Sequence, residues 1–244
     1  MAQTFAARSN AKDRHIFQRR SSRYNRSMPS SPAPILCAVL FDYGMVLSTA
    51  ADAAGWAQLR ALTGASEERL HHSYWQHRDE YDSGAMDSAA YWQAIAHETG
   101  FTLDAARLDA LRAADIEVWG QVNQPMVDWA RSLQQRGIRT GILSNIGDAM
   151  ETGLRARHPW IEEFTHCTWS HHHRLIKPDP AIYRCAIEGL GCPAAGILFI
   201  DDREKNVRGA IAAGLRAIQY TTHAEFLSAM RERGYGFLLE SEKL

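Results

Sequence analysis

The chain reads ILCAVLFDYGMV from residue 35 to residue 46, and this stretch indicates the fold. Residues 35–41 are seven apolar residues in a row, without the alternation of a half-exposed strand. They therefore predict a strand that is buried on both faces of a parallel sheet. Asp42 closes the run and Gly44 follows two residues later. We expect a buried strand that delivers a carboxylate to the edge of the sheet.

Three more short apolar runs have this form. They lie at residues 141–143 before Ser144-Asn145, at 197–200 before Asp201-Asp202, and at 217–220. Helical patterns separate the runs, at residues 125–137, 179–190 and 203–213. Buried strands that alternate with helices predict an α/β fold with a Rossmann-like parallel sheet.

Residues 51–120 break this alternation. They contain several helix-like segments rich in Ala, Glu, Arg and Trp, and no strand-like run. Roughly 70 residues are too many for a simple connection in a compact domain. We expect an all-helical module inserted into an α/β core that consists of residues 35–50 and 121–244.

The first 34 residues differ in composition from the rest of the chain. Residues 1–30 hold seven Lys or Arg and one acidic residue, are rich in Ser, and show no hydrophobic periodicity. This predicts a disordered basic tail over residues 1–34. An organelle transit peptide would share this composition, whereas no apolar stretch follows Arg19-Arg20 to support an export signal. We favour an upstream extension of a chain whose working start is Met28.

Composition excludes several classes of protein. The 244 residues carry a net charge of -1, which argues against nucleic acid or a membrane surface as a partner. No apolar run approaches the roughly 18 residues that a membrane-spanning helix needs. The four cysteines form no Cys-x-x-Cys pair, so neither a disulfide scaffold nor a zinc ribbon is expected. A reducing, cytoplasmic compartment is favoured, and the oligomeric state is not indicated.

Polar residues at the strand ends carry the candidate chemistry. Asp42, Ser144-Asn145 and Asp201-Asp202 each follow an apolar run, and the carboxyl ends of parallel strands meet at one edge of a sheet. A single aspartate there is more often a helix cap, but three strand ends of the same character favour a site. Crowded carboxylates repel one another unless a cation neutralises them. Oxygen ligands without a Cys or His cluster favour Mg²⁺.

Lys177 and two residues of the helical insert complete the set of candidates. Lys177 precedes a helix that Asp179 can cap, and from there it can reach inward as a point charge for phosphate. Without the neighbouring motifs, Lys177 would be interpreted as a solvent-exposed lysine in a loop. Arg78 and Tyr81 could face a phosphorylated substrate or belong to the insert's own core, and both alternatives stay open. Trp92 is expected in that core.

The order of these motifs resembles the haloacid dehalogenase superfamily over roughly residues 35–225. The motifs are FDYGMV at 41–46, LSN at 143–145, KP at 177–178, and FIDD at 199–202 with Asn206. The first motif is similar to the Asp-x-Gly-x-Val pattern of the sugar-phosphate phosphatase branch, subfamily IA, which carries a helical cap. The resemblance implies a Mg²⁺-dependent phosphatase of small phosphorylated metabolites, with residues 51–120 as the cap.

The resemblance also implies roles for individual residues. Asp42 would be the nucleophile that forms an aspartyl-phosphate. Its second oxygen, the carbonyl of Gly44 and Asp202 would bind Mg²⁺, with Asp201 beside them. Ser144 and the amide of Asn145 would hold phosphoryl oxygens. Lys177 would steady both the phosphate and the nucleophile, and Arg78 and Tyr81 would contact the substrate.

The chain departs from the family pattern at Gly44, where most family phosphatases carry a second Asp as general acid and base. That loss would cost ~10²–10⁴ in rate, although the resembling branch shares it. The loss of this Asp leaves two alternative functions open. One is a non-catalytic or regulatory binding protein, and the other, less favoured because of Asp201-Asp202, is a metal-independent haloacid dehalogenase.

The chain also departs from the family pattern at Arg174, which stands where the loop before the lysine usually contains a Gly. Nearby, His171-His172-His173 could bind a metal, but consecutive histidines share no helix or strand face, so an exposed loop is expected.

Overall fold

Five parallel strands form one sheet at the centre of the protein. The structure is a computed structural model that describes residues 36–239, and the tail predicted over residues 1–34 lies outside the described residues. The strand order is β3-β2-β1-β4-β5. The strands are β1 (Ala38–Phe41), β2 (Arg139–Ser144), β3 (His166–Trp169), β4 (Ile197–Asp201) and β5 (Arg216–Gln219). The predicted α/β parallel-sheet fold is confirmed.

The central strand is the apolar run with which the sequence analysis began. All four residues of β1 are fully buried. β1 pairs in parallel with β2 and β4, so that Phe41 lies opposite Ile142 on one side and Ile200 on the other. This register brings the residues that follow β1, β2 and β4 to the same edge of the sheet.

The described residues form five strands, whereas the sequence predicted four, and β3 is the strand that was not predicted. Its sequence, HCTW, mixes polar and apolar residues, and it lies at the edge of the sheet, paired only with β2. An edge strand is not surrounded by apolar neighbours on both sides and lacks the continuous apolar signature of a central strand. The other three predicted runs lie within or overlap β2, β4 and β5.

Helices cover both faces of the sheet. Val39 and Phe41 belong to an apolar cluster on one face, and Ala38 and Leu40 belong to a second cluster on the other. The helices that follow or separate the strands are α6 (Gln124–Gln135), α7 (Asp148–Arg157), α8 (Ser170–His173), α9 (Pro180–Leu190), α10 (Glu204–Ala212) and α11 (His223–Glu232). Pro180 stands at the start of α9, where Asp179 caps the helix by accepting the backbone N–H of Ala181 at 2.8 Å.

Five helices and no strand occupy residues 51–120. They are α1 (Ala53–Thr63), α2 (Glu67–Gln76), α3 (Arg78–Asp82), α4 (Ser88–Thr99) and α5 (Ala105–Trp119). Asp52, Ser66, Asp87 and Asp104 cap α1, α2, α4 and α5 through their side chains. Their apolar residues, among them Leu59, Tyr74, Trp92 and Val118, form a cluster of their own. Within residues 36–239, no helix has the length and the apolar character needed to cross a membrane.

Candidate active site

Asp42 lies where β1 ends and the chain turns sharply. Its backbone N–H donates to the carbonyl of Ile200 at 2.8 Å, which continues the pairing with β4 for one residue. Its Oδ1 accepts the backbone N–H of Tyr43 at 2.7 Å. The turn at Tyr43–Leu47 includes Met45 in the left-handed region, with φ of 62°. The carboxyl group is therefore held at the sheet edge by the end of a central strand.

Lys177 joins Asp42 to Asp201. Its Nζ lies 2.8 Å from Asp42 Oδ1 and 2.7 Å from Asp201 Oδ2. Asp201 is completely buried and also accepts hydrogen bonds from the side chain of Asn206 and the backbone N–H of Arg203. Since both oxygens of Asp201 are engaged, this residue is suited to orient Lys177.

Asp202 is half-buried beside Asp201. One carboxylate oxygen each of Asp42, Asp201 and Asp202 lies within 4.8 Å of the other two. Asp42 and Asp202 line the cavity at this edge of the sheet, whereas Asp201 lies behind them. Among the described residues, three carboxylates thus lie together, and Lys177 contacts two of them, Asp42 and Asp201.

The electrostatics of this group favour a further cation. Burial raises the pKa of Asp42 to about 8, and Lys177 offsets only part of this effect. Burial, followed by the charge of Asp201, also raises the pKa of Asp202. The pKa of Lys177 is itself above its usual value, because the two neighbouring carboxylates outweigh the effect of burial. Crowded oxygen donors with an excess of negative charge fit a hard divalent cation such as Mg²⁺.

Asn145 fixes the position of Lys177 from the neighbouring strand. Its Oδ1 accepts the backbone N–H of Lys177 at 2.8 Å, and its Nδ2 donates to the Lys177 carbonyl at 3.1 Å. The sequence analysis assigned only the main-chain amide of Asn145 and missed this use of the side chain. An amide that makes two backbone contacts 32 residues away leaves no local signal in the sequence. Ser144, nearly buried at the end of β2, lines the same cavity.

The cavity has a volume of about 140 Å³ and lies between the sheet edge and the helices of residues 51–120. The sequence-predicted residues Asp42, Gly44, Ser144, Asn145, Lys177, Asp202 and Arg78 line it. Several further lining residues were not singled out as site candidates, among them Asp79, Asp82, Trp119, Arg203 and Asn206. Trp75 also lines the cavity. The helical residues follow no motif, so only the folded chain brings them to the site.

Arg78 is held inside the helical segment by acidic neighbours. Its Nε lies 2.8 Å from Asp82 Oδ1, its Nη1 lies 3.9 Å from Asp115 Oδ2, and it also contacts the hydroxyl of Tyr74. Burial raises the pKa of both Asp82 and Asp115, although Arg78 opposes that rise. The arginine therefore borders the cavity with its Nε and Nη1 already hydrogen-bonded inside the helical segment.

Tyr81 does not line the cavity. It is 1% exposed, and its ring stacks on that of Tyr91 with centroids 4.5 Å apart. Both rings belong to the apolar cluster of the helical segment, as does Trp92. Of the two alternatives left open for Tyr81, the structure places the side chain in the core of the insert.

A family model for haloacid dehalogenase-like hydrolases matches residues 39–214. Haloacid dehalogenase-like hydrolase domain-containing protein 3 of Danio rerio is 28% identical over 129 residues, covering 48% of this chain and 51% of that protein. Protein CbbY of Cereibacter sphaeroides is 31% identical over 117 residues, covering 38% of this chain and 51% of that protein. The chain spans about half the length of these curated relatives.

Solved structures share the fold at low sequence identity. A HAD family enzyme from Bacteroides thetaiotaomicron superposes with a TM-score of 0.68 at 18% identity, covering 81% of this chain and 100% of that chain. The same enzyme has been crystallised in complex with magnesium and inorganic phosphate. The L-2-haloacid dehalogenase of Xanthobacter autotrophicus superposes with a TM-score of 0.60 at 20% identity, covering 82% of this chain and 84% of that chain. At sequence identities of 18% and 20%, these similarities show that the fold is shared.

Proposed function

The chain belongs to the haloacid dehalogenase-like hydrolase family, and on that premise we propose that it is a Mg²⁺-dependent phosphatase. Its substrate is a small phosphorylated metabolite, which it hydrolyses through an aspartyl-phosphate on Asp42. One observation carries the proposal, namely that Asp42, Asp201 and Asp202 lie together at the carboxyl edge of the sheet, with the buried Lys177 in contact with Asp42 and Asp201.

Asp42 is the nucleophile of this proposal. A carboxylate oxygen of Asp42 attacks the phosphorus atom, and the ester P–O bond breaks as the leaving oxygen departs with its electron pair. The leaving oxygen then takes a proton from solvent. Water hydrolyses the aspartyl-phosphate, which releases inorganic phosphate and restores the carboxylate. The cavity opens directly onto Asp42, so both the ester and the water can reach it.

The residues around Asp42 hold the transferring group. The Lys177 ammonium, already 2.8 Å from the nucleophile, balances negative charge on the phosphoryl oxygens. The hydroxyl of Ser144 and the backbone N–H of Asn145 donate to these oxygens from the end of β2. The side chain of Asn145 keeps Lys177 in place through its two backbone hydrogen bonds. Phosphoryl transfer depends mainly on such positioning and charge neutralisation.

Asp42, Asp202 and the main-chain carbonyl of Gly44 would hold Mg²⁺, with Asp201 behind them. When bound, the ion neutralises the carboxylates and the phosphoryl charge, which would otherwise repel each other. The oxygen donor set and the raised pKa of Asp42 support this part of the proposal. The magnesium and phosphate complex of the Bacteroides enzyme lends it further support.

The helical segment of residues 51–120 acts as the cap and sets specificity. It supplies Trp75, Arg78 and Trp119 to a cavity of about 140 Å³, which suits a compact substrate rather than a polymer. Indole rings pack against the apolar faces of small molecules, and a sugar phosphate is one candidate.

The four cysteines are unpaired, which favours a reducing, cytoplasmic compartment.

A panel of phosphate monoesters, assayed with and without Mg²⁺, tests the proposal. We expect Mg²⁺-dependent release of phosphate by the wild type and only background release by Asp42→Asn, which preserves shape and removes the attacking charge. Halide release from 2-haloacids without metal would instead identify a dehalogenase. Ligand binding without turnover of either substrate class would identify a non-catalytic binding protein.

A further inference from the structure

A second cluster of side chains of the types that ligate metals lies outside the cavity. Glu151 of α7 faces His171 and His172 of α8. The Nε2 atoms of the two histidines lie 3.2 Å and 3.0 Å from Glu151 Oε2, and one ligand atom of each residue lies within 4.8 Å of the other two. The residues of α7 that line the cavity are Met150 and Leu154, so Glu151 does not belong to the site described above.

This arrangement corrects the expectation that the three consecutive histidines lie in an exposed loop. His171 and His172 lie in the short helix α8, which ends at Arg174 in the left-handed region with φ of 55°. The two rings need not share a face of their own helix, because Glu151 from the neighbouring helix approaches both. The third ligand comes from 20 residues upstream, where no local pattern would indicate it.

Glu151 is held in place for this contact. Its side chain is only 10% exposed, and its Oε1 accepts a hydrogen bond from Arg155 Nε at 2.8 Å. Arg155 also pairs with Glu162, and its guanidinium lies over the Trp169 ring, 5.4 Å from the centroid. The carboxylate is thus fixed through one oxygen, and the other is the atom that both imidazoles approach. Partners that orient a metal-binding carboxylate in this way strengthen metal sites.

We propose that Glu151, His171 and His172 form a binding site for Zn²⁺, separate from the magnesium site. Two imidazole nitrogens with one carboxylate oxygen form a typical zinc ligand set, whereas imidazole nitrogens are poor ligands for Mg²⁺. Tetrahedral coordination with bonds of about 2.0–2.1 Å places ligand atoms roughly 3.3–3.5 Å apart. The two histidine-to-glutamate distances, 3.0 and 3.2 Å, need only a slight expansion to accept the ion. The fourth position is left for water.

Zinc at this position links two segments that lead to the candidate active site. α7 follows the Ser144-Asn145 loop, and α8 precedes Lys177. The two segments already touch where the Ser170 hydroxyl accepts the backbone N–H of Ile146 at 2.8 Å. A bound ion adds a further link between them and stabilises the folded chain, since it binds the folded state in preference to the unfolded one. This inference does not depend on the phosphatase proposal.

The test is zinc binding by the full-length chain after chelator treatment. Isothermal titration with Zn²⁺ in excess Mg²⁺ measures the affinity, and thermal unfolding with and without Zn²⁺ measures the stabilisation. The variants are His172→Ala and Glu151→Gln, and His173→Ala is the matched control because it is the adjacent histidine outside the cluster. The His172 side chain is 55% exposed, so its truncation should leave the fold unchanged. Asp202→Asn controls for zinc bound at the sheet edge.

We expect the wild type, His173→Ala and Asp202→Asn to share one tight zinc site and a zinc-dependent rise in melting temperature. His172→Ala and Glu151→Gln should bind at this site at least ~10-fold more weakly and lose the rise in melting temperature. Equal affinity and equal thermal shifts in His172→Ala and His173→Ala would overturn the proposal. Loss of the tight site in Asp202→Asn would overturn it as well. Should Glu151→Gln fold poorly, the comparison of the two histidine variants still decides.

Discussion

The ammonium group of Lys177 lies 2.8 Å from Oδ1 of Asp42, in surroundings where Lys177 is 1% and Asp42 7% exposed. The same ammonium group lies 2.7 Å from Asp201, which is fully buried. One buried cation therefore serves two buried carboxylates, with Asp202 close by. Without a further cation the group holds surplus negative charge, and the burial of Asp42 makes the stability of the metal-free protein depend on pH.

The first prediction concerns this pH dependence. Burial raises the pKa of Asp42 from its usual 3.8 to about 8 in the metal-free chain. The folded chain therefore holds this proton more tightly than the unfolded chain. The resulting stabilisation is full below about pH 4 and is lost as the pH rises toward 8. Over that window, metal-free wild type should lose melting temperature relative to Asp42→Asn, which has no carboxyl group to ionise.

Thermal unfolding of both proteins across this range, in the presence of chelator, measures the effect. Added Mg²⁺ should raise the melting temperature of the wild type at pH 8 by more than that of Asp42→Asn, which keeps Asp201 and Asp202 but lacks the ionised Asp42. Parallel melting curves for the two proteins at every pH would show that Asp42 ionises normally in the folded chain.

The second prediction separates the two neighbouring aspartates. Asp201 is fully buried, and its oxygens accept hydrogen bonds from Lys177, Asn206 and Arg203. Asp202, in contrast, borders the cavity. Asp202→Asn should therefore weaken Mg²⁺ binding by ~10-fold or more, with activity partly recovered at high Mg²⁺. Asp201→Asn should change Mg²⁺ affinity less and lower turnover even at saturating Mg²⁺, because Lys177 loses one of its two anchors.

Direct Mg²⁺ titration alongside turnover distinguishes these effects. If Asp201→Asn has the larger effect on affinity, the two roles are exchanged. If neither variant changes the Mg²⁺ dependence, the sheet edge is not the metal site.

The sheet and its polar edge could be predicted from the sequence because the relevant signals are local. A central strand such as β1 is surrounded by apolar residues on every side, so its own composition must be apolar throughout. Asp42 after β1 and Asp201-Asp202 at the end of β4 are then brought together by parallel register alone. β3 gave no such signal, because an edge strand tolerates the polar residues His166 and Thr168.

The parts of the site that could not be predicted depend on contacts between distant segments. Both alternatives stayed open for Tyr81, since a buried tyrosine and a substrate-binding tyrosine look alike in sequence, and only the stacking on Tyr91 separates them. The side chain of Asn145 binds the backbone of Lys177, and Glu151 meets two histidines of another helix. Such pairings are set by how helices pack, which hydrophobic periodicity does not specify.

The third prediction concerns Arg78, the buried cation of the helical segment. Its ion pair with Asp82 spans 2.8 Å, and the side chains are 9% and 10% exposed, so solvent screens the pair little. Arg78→Met retains most of the apolar stem and removes the cation that pairs with both Asp82 and Asp115. Removing one partner of a buried pair typically costs ~3–5 kcal/mol, and we expect a loss of unfolding free energy in that range. Urea unfolding measures it.

Arg203→Met is the control for Arg78→Met, since Arg203 also lines the cavity but is exposed. This variant should change the unfolding free energy by less than ~0.5 kcal/mol. If Arg78→Met proves as stable as the control, the guanidinium does not compensate the two aspartates, and Arg78 would be available as a substrate contact.

The fourth prediction adds a carboxylate where the chain departs from the family pattern. Most phosphatases of the superfamily that this chain resembles carry an Asp at the position of Gly44, where it supplies a proton to the leaving group. Gly44 has φ of -61° and ψ of 132°, a conformation open to any residue, and a Cβ added there would meet no atom within 4 Å. Gly44→Asp should therefore fold normally and speed hydrolysis of alkyl phosphates.

The size of the gain depends on the leaving group. General acid catalysis contributes up to ~10²–10⁴ in rate, and it matters most for alkoxides, which leave poorly without a proton. Aryl phosphates should gain little, and Gly44→Asn, which adds similar bulk without an acid, should gain on neither substrate. The new carboxylate also adds negative charge beside Asp42, so the variant should require Mg²⁺ at least as strongly as the wild type. Equal rates for the Asp and Asn variants on alkyl phosphates would mean that protonation of the leaving group does not limit turnover, and that Gly44 is no handicap to this enzyme.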